Sequence, residues 1–273
     1  IISLILEKKL LNITIYFKIV MVIKHLVLSG GGISGFSTYG ALRFLAKENF
    51  WKLENIETIY GCSIGALIGV VISLGYEWDW IDDYFEKRPW EKTVNIGIHE
   101  IFDLFEKKGV LDIHFVEKAL EPLITAKGLS KECTFEEFFE KTNKDIHMFT
   151  VDLNEVILNT IDLSYKTHPK LSIIKGVYMT MSFPFLLKPI CEDGHCYVDG
   201  GLVDNYPLQH CINYTGCQTT EILGVKNEWG DWIEKLKVTD ESSILDYLQI
   251  FIRKMHHQIA TEHNQINIKH TVR

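Results

Sequence analysis

The sequence predicts an α/β fold, a three-layer α/β/α sandwich around a mostly parallel central sheet. Three observations predict it. His25-Leu26-Val27-Leu28-Ser29 reads as a short buried strand that runs straight into glycines and then into a helix. Ile56, Ile59 and Tyr60 lead into Gly61-Cys62-Ser63-Ile64-Gly65, and the apolar helical run Ala66-Leu67-Ile68-Gly69-Val70-Val71-Ile72 follows. Further on, Cys196-Tyr197-Val198 closes an apolar strand on Asp199-Gly200-Gly201. Strands that alternate with helices and end in glycine loops put a site at the carboxyl ends of the strands.

Taken in order, residues 1–20 are apolar but carry Glu7, Lys8, Lys9 and Lys18, which break any run long enough to span a bilayer. They lack the small-residue cleavage site of a signal peptide. Met21-Val22-Ile23-Lys24 leads directly into the first strand, so residues 1–20 read as an upstream extension, or else an accessory helix or strand, with no assigned function. Residues 21–273 read as one domain. With 47% hydrophobic content in 273 residues, one large core is within reach.

Gly30-Gly31-Gly32-Ile33-Ser34-Gly35 comes after the first strand, and a helix from 36 to about 48 places Tyr39, Leu42, Leu45 and Ala46 on its apolar positions. From 76 to about 144 the chain is helical and rich in aromatics: Trp78, Trp80, Tyr84, Phe85, Trp90, Phe102, Phe105, Phe115, Phe135, Phe138 and Phe139. Helical spacing assigns them to core, with a lid or acyl-chain pocket as the other reading. Thr134-Phe135-Glu136-Glu137 predicts an N-cap with acids in the first turn.

Residues 147–152 and 156–161 read as neighbouring strands, a hairpin through Leu153-Asn154-Glu155. Residues 221–226 supply a late strand. A helix from 244 to about 264 presents Leu245, Leu248, Phe251, Ile252, Met255 and Ile259 on one face, for docking on the domain or for membrane contact.

The chemistry sits in the glycine-flanked turns. G-x-S-x-G between a strand and a helix is the setting of a nucleophilic serine, here Ser63, with Gly61 and Gly65 leaving room for the sharp turn. A helix starting at the serine aims its N-terminal N–H groups and dipole at the reaction centre. Successive glycines leave backbone N–H groups unshielded, so Gly30, Gly31, Gly32 and Gly35 can converge on an anion such as the oxygen of a tetrahedral intermediate.

Gly30-x-Gly32-x-x-Gly35 is also the dinucleotide-binding pattern, which wants an acid at the end of the next strand. Here that strand ends in Gly61-Cys62-Ser63-Ile64-Gly65, and Glu54 and Glu57 lie before or at its start, which favours the anion-hole reading. Asp199 can accept a proton or hold a hydroxyl. Asp-Gly is equally a tight-turn dipeptide, so a plain hairpin is the alternative.

In this order the motifs resemble the patatin-like phospholipase family over residues 24–226. Asp199-Gly200-Gly201-Leu202-Val203-Asp204-Asn205-Tyr206-Pro207-Leu208 resembles the family's D-G-G-x-x-x-N-x-P run, and Thr180-Met181-Ser182-Phe183-Pro184-Phe185 its S-x-x-P segment. The resemblance implies Ser63 as nucleophile, Asp199 as catalytic acid–base partner, the glycine loop as oxyanion hole, and Gly200 and Gly201 as motif support. It implies a Ser–Asp dyad that forms an acyl-enzyme from a lipid or phospholipid ester at a membrane or micelle surface, with no metal and no cofactor. The family often has Lys or Arg in the loop where this chain has Ser34, which bears on phospholipid as substrate more than on acyl hydrolysis.

Other readings stay open at this stage. A Ser–His–Asp triad would draw on His210, His256, His257 or His263. A non-catalytic or regulatory lipid-binding protein, or an acyltransferase, would use the same scaffold.

The net charge of −8 and the absence of a basic stripe argue against nucleic acid. The sequence has no polybasic cluster for anionic membrane, so lipid contact would rest on apolar side chains. Cys62, Cys133, Cys191, Cys196, Cys211 and Cys217 lack C-x-x-C spacing and read as free buried thiols in a reducing compartment, with Cys62 beside the serine open to oxidation. A cytoplasmic setting follows, with room for peripheral membrane association. Oligomeric state is not specified by the sequence.

Overall fold

Two parallel strands at the centre of the sheet position everything that follows. The computed structural model describes residues 22–32, 35–90, 107–227, 235–263 and 268–273. The extension 1–20, Met21, Ser34, Phe102 and Phe105 lie outside the described residues. Within them the chain forms β1 (His25–Leu28), α1 (Gly35–Lys47), β2 (Thr58–Gly61), α2 (Ile64–Ser73) and α3 (Trp78–Lys87). It continues through β3 (Gly109–Leu111), α4 (Ile113–Ala126), α5 (Phe135–Thr142), β4 (Asp145–Asp152), β5 (Thr160–Leu163) and α6 (Ile173–Met181). The last elements are β6 (Phe185–Leu187), β7 (Ile190–Glu192), β8 (His195–Asp199), α7 (Leu208–Thr215), β9 (Ile222–Val225), α8 (Ile244–His263) and β10 (His270–Val272).

The sheet order is β10-β9-β1-β2-β4-β8-β7, with β5 also on β4. The five strands from β10 to β4 are parallel, and β5, β8 and β7 pair antiparallel, so the expected sheet is mixed and mostly parallel. β1 and β2 are buried along their whole length, as strands covered on both faces must be.

Alternate residues feed two separate cores. Leu26, Leu28, Ile59, Met148, Leu223 and Val225 pack with residues of α1, α2, α4 and α6. Val27, Tyr60, Phe149 and Ile222 pack with Tyr206, Leu208, Cys211 and Ile268 on the other face. Helices on both faces of one sheet make the three layers. α2 is apolar all round, with nine of its ten residues buried, because it lies between the sheet and α6.

The register fixes how the chain ends meet. β2 pairs β4 from Asp145 to Met148, β5 pairs it from Met148 to Val151, and β8 pairs it from Thr150 to Asp152. One edge of a strand holds one partner at each position. Since β5 overlaps both others, β2 and β8 share the opposite edge. β8 therefore runs head-on at the carboxyl end of β2, with Asp199 opposite Thr150, two positions beyond Gly61's partner Met148.

The cap at Thr134 is as the sequence predicts: its hydroxyl accepts the Glu137 N–H at 3.3 Å, and the Glu137 carboxylate accepts the Thr134 N–H at 2.9 Å. Phe135 and Phe138 are core, and Trp78, Tyr84, Phe85 and Phe115 pack against it. The second strand expected at 156–161 is shorter. Asp152 accepts the N–H groups of Asn154 and Cys196, which ends β4 in a turn, and pairing resumes only at Thr160. Val156, Ile157 and Leu158 are consequently exposed.

α8 is half docked: Leu248 and Ile252 are partly covered, while Ile244, Tyr247, Phe251 and Met255 are exposed. No helix of the described residues is long and apolar enough to cross a membrane. Of the six cysteines, Cys62, Cys133 and Cys211 are buried, whereas Cys191 is exposed and Cys196 and Cys217 are partly so, which corrects the expectation that all are buried.

Candidate active site

Ser63 occupies the two-residue corner Cys62-Ser63 between β2 and α2, at φ 53° and ψ −126°. A non-glycine residue held there costs roughly 1–3 kcal/mol, which the surrounding packing must sustain. The packing explains the flanking glycines. A Cβ on Gly61 would stand 2.6 Å from the backbone N and Cα of Ala66. A Cβ on Gly65 would stand 2.5 Å from the carbonyl oxygen of Leu28. The Ser63 N–H donates to Thr180 Oγ1 at 2.9 Å, which ties the corner to α6.

The loop after β1 lies against this corner. A Cβ on Gly30 would lie 3.0 Å from the Ser63 Cβ. Gly30 is clamped on both sides: its N–H donates to the Asn205 carbonyl at 3.2 Å, and its carbonyl accepts from Asn205 Nδ2 at 3.1 Å and from Asn227 Nδ2 at 3.4 Å. Asn227 also donates to Thr38 Oγ1 at 3.1 Å, anchoring the loop to α1. Gly31 and Gly32 have no backbone or side-chain acceptor for their N–H groups among the described residues. Gly35 is buried in the first turn of α1, where a Cβ would run into the Ile64 side chain, so the two helix starts pack directly.

Asp199 ends β8 with 3% of its surface exposed. Its N–H donates to the Ser182 carbonyl at 3.1 Å, and its Oδ1 accepts the Gly201 N–H at 2.8 Å and faces the Cys62 thiol at 3.7 Å. Burial pushes its carboxyl up from 3.8 to about 6, against hydrogen bonds from the Ser63 hydroxyl, the Gly201 N–H and the Cys62 thiol that favour the charged form. Gly200 and Gly201 form the short turn that presents that N–H. Burial, and then the neighbouring Asp199 charge, raise the Cys62 thiol well above its ordinary range. A buried, protonated thiol is inert, contrary to the oxidation expected from its position beside the serine.

The structure thus brings Ser63, Gly30 and Asp199 together from three strand ends. Thr180, Asn205 and Asn227 hold them, and Thr180 and Asn205 lie in the two runs that follow the serine in sequence. His210 is engaged elsewhere: its Nε2 lies 3.0 Å from Thr160 Oγ1 and 3.8 Å from Asp204 Oδ2. His256, His257 and His263 fall on α8, and their side chains lie outside the described residues.

Asp152, Glu155 and His195 bring ligand-type atoms within 4.8 Å of one another, but the Asp152 carboxylate already takes Asn154 N–H, Cys196 N–H and His195 Nδ1. A cavity of about 540 Å³ lies among Lys24, His25, Thr58, Asp145 and Glu221. Those residues mark the amino ends of β1, β2, β4 and β9, the opposite end of the parallel strands from Ser63.

A family profile described as patatin-like phospholipase matches residues 26–212. An uncharacterized protein of Acanthamoeba polyphaga mimivirus is 33% identical over 186 residues, 68% of this chain and 60% of that protein. A probable lipid hydrolase of Invertebrate iridescent virus 6 is 28% identical over 193 residues, 70% of this chain and 64% of its own length. The chain therefore matches somewhat under two thirds of these relatives. Patatin-like phospholipase domain-containing protein 6 of Homo sapiens is 22% identical over 242 residues, 80% of this chain but 16% of that much longer protein. Among solved structures, VipD from Legionella pneumophila shares the fold with a TM-score of 0.53 at 18% identity, over 83% of this chain and 52% of that one.

Proposed function

The chain belongs to the patatin-like phospholipase family, and from that premise we propose that it hydrolyses lipid acyl esters, of the phospholipase A type, with Ser63 and Asp199 as a catalytic dyad. The observation that carries the proposal is the buried Asp199 carboxyl beside the Ser63 hydroxyl, with its pKa raised to about 6. An ordinary aspartate near 4 is a weak base for a hydroxyl. A carboxylate lifted towards neutrality is better matched to the transfer.

In this scheme Ser63 Oγ attacks the ester carbonyl while its proton passes to Asp199. The oxyanion takes N–H donors from Gly31 and Gly32 and from Ile64, the first residue of α2. Gly30 positions the loop, because its own N–H is bound to Asn205, and Gly35 lets the two helices start side by side. Asp199 returns the proton to the leaving alcohol as the C–O bond breaks, leaving an acyl-enzyme. Water then attacks the acyl carbonyl, giving up a proton to Asp199, which passes it to Ser63 Oγ as the acyl–oxygen bond breaks and the fatty acid is released. Each step is complete with these groups and calls on no metal or cofactor.

The test is hydrolysis of a lipid panel with product mass spectrometry, run beside Ser63→Ala. Free fatty acid from the parent and none from Ser63→Ala is expected. Equal product from both would refute the role of Ser63, and none from either would leave a lipid-binding protein on this scaffold.

A further inference from the structure

We propose that the turn between β4 and β5 is a lipid-inserting tip, in which Val156, Ile157 and Leu158, with Leu153 at the base, enter a zwitterionic phospholipid surface and hold the Ser63 end of the sheet against it. The purpose of this contact rests on the acyl-hydrolase reading above, but the contact itself can be measured without catalysis.

Val156 is 99% exposed, Ile157 71%, Leu158 44% and Leu153 45%. Three consecutive apolar residues on a convex turn are not a surface that packing requires, and such patches mark interaction sites. The base of the turn is held in place. Leu153 N–H donates to the Cys196 carbonyl at 2.9 Å, and Asn154 Nδ2 donates to the Gly194 carbonyl at the tip of the β7–β8 hairpin at 2.7 Å. An ordered base means that little conformational freedom remains to be lost on binding.

Position selects the orientation. β2 and β4 are parallel, so the end of β4 and the Ser63 corner face the same way. Asp199 stands opposite Thr150, and β4 runs two residues further to Asp152, about 7 Å at ~3.3 Å per residue, before the turn begins. The apolar tip therefore projects beyond the candidate dyad on the side from which a lipid would enter.

Area and charge select the occupant. Four residues at these exposures offer well under the roughly 800 Å² that each partner contributes to a stable protein–protein interface. That is too little for a second copy and enough for a shallow apolar anchor. Glu155 is exposed within the turn and the chain carries a net charge of −8, so attraction to an anionic surface is not the driving force.

The test uses the full chain with Ser63→Ala, sedimented with phosphatidylcholine vesicles at about 0.05 and 0.5 M salt. Binding at both salt concentrations is expected. Val156→Asp with Ile157→Asp should lower the vesicle partition coefficient by about tenfold or more, since a carboxylate resists transfer from water. Val156→Leu with Ile157→Leu should retain binding. In the chain with Ser63 intact, the two aspartates should leave hydrolysis of a soluble short-chain ester unchanged, which shows that the fold and site survive.

The proposal is overturned by any of these results: no vesicle binding by the parent, undiminished binding by the double aspartate variant, or binding confined to anionic vesicles at low salt. It is equally overturned if Phe251→Asp on α8, and not the tip variant, abolishes binding, or if the tip instead mediates a dimer. Vesicle binding through the tip by a chain that hydrolyses no ester would sink the hydrolase reading and leave the tip standing.

Discussion

Thr180 Oγ1 accepts the backbone N–H of Ser63 at 2.9 Å, so the helix that precedes Asp199 also holds the corner on which Ser63 sits. Thr180 is a positioning residue in this account. Thr180→Val keeps the shape and removes the acceptor, leaving a partly buried N–H unpaired at a cost of up to about 1–3 kcal/mol. We expect a fall of about 10- to 100-fold in kcat/KM for a soluble ester, carried mostly by kcat, with Thr180→Ser restoring most of it. A purely structural role would lower thermal stability in Thr180→Val while leaving the rate per folded molecule unchanged.

If Asp199 is the base of the proposed dyad, it should set the pH dependence of activity, and its burial that of stability as well. As the base it must be ionised, so kcat/KM should rise with pH and level off above an apparent pKa of about 6. The stability contribution has the opposite sense. With the folded pKa raised from 3.8 to about 6, the contribution is fully present below pH 3.8 and is lost as pH rises through 6. Ionised Asp199 then costs the fold on the order of 3 kcal/mol at pH 7. Asp199→Asn should therefore be nearly inactive yet melt several degrees higher than the parent at pH 7, with the gap closing towards pH 4. A parent profile flat down to pH 4 would remove Asp199 as the base.

Asn205 grips Gly30 with its side chain as well as its backbone. Asn205→Ala removes only the side-chain donor, so the loop stays close but loses its fixed orientation. About a tenfold loss in kcat is expected, with KM much less affected. An unchanged kcat would show that the loop needs no such clamp.

Thiol chemistry should follow burial. Iodoacetamide applied to the native protein is expected to modify Cys191 and to leave Cys62 untouched until the chain is unfolded. Peptide mass spectrometry of the native and denatured samples reads this directly. Native modification of Cys62 would mean that the space beside Ser63 is more open than the structure shows.

Local steric constraints are what the sequence reveals best. Gly61 and Gly65 must lie within two residues of a strained serine, so the corner is visible as a motif. Thr134 and Glu137 are three apart, and their reciprocal cap reads equally well. Long-range partners are silent. Thr180 is 117 residues from Ser63, and Asn205 is 175 from Gly30. No spacing rule links them, and the loss of the Gly30 N–H to Asn205 follows only from the folded geometry. The reversal of β8 against β4, which delivers Asp199 to the serine, is a matter of register that the five residues His195–Asp199 do not encode. Val156-Ile157-Leu158 misleads for a different reason. An apolar run opening with two β-branched residues has the composition of a strand, and only the Asp152 turn upstream of it turns it outward.

The most direct measurement is fluorophosphonate labelling followed by peptide mapping, because only a serine activated in its resting site reacts quickly. One adduct per chain on Ser63 is expected for the parent, at least about 100-fold slower labelling for Asp199→Asn, and none for Ser63→Ala. A stable, folded parent that takes no label at Ser63, or takes it equally fast without Asp199, would contradict the dyad.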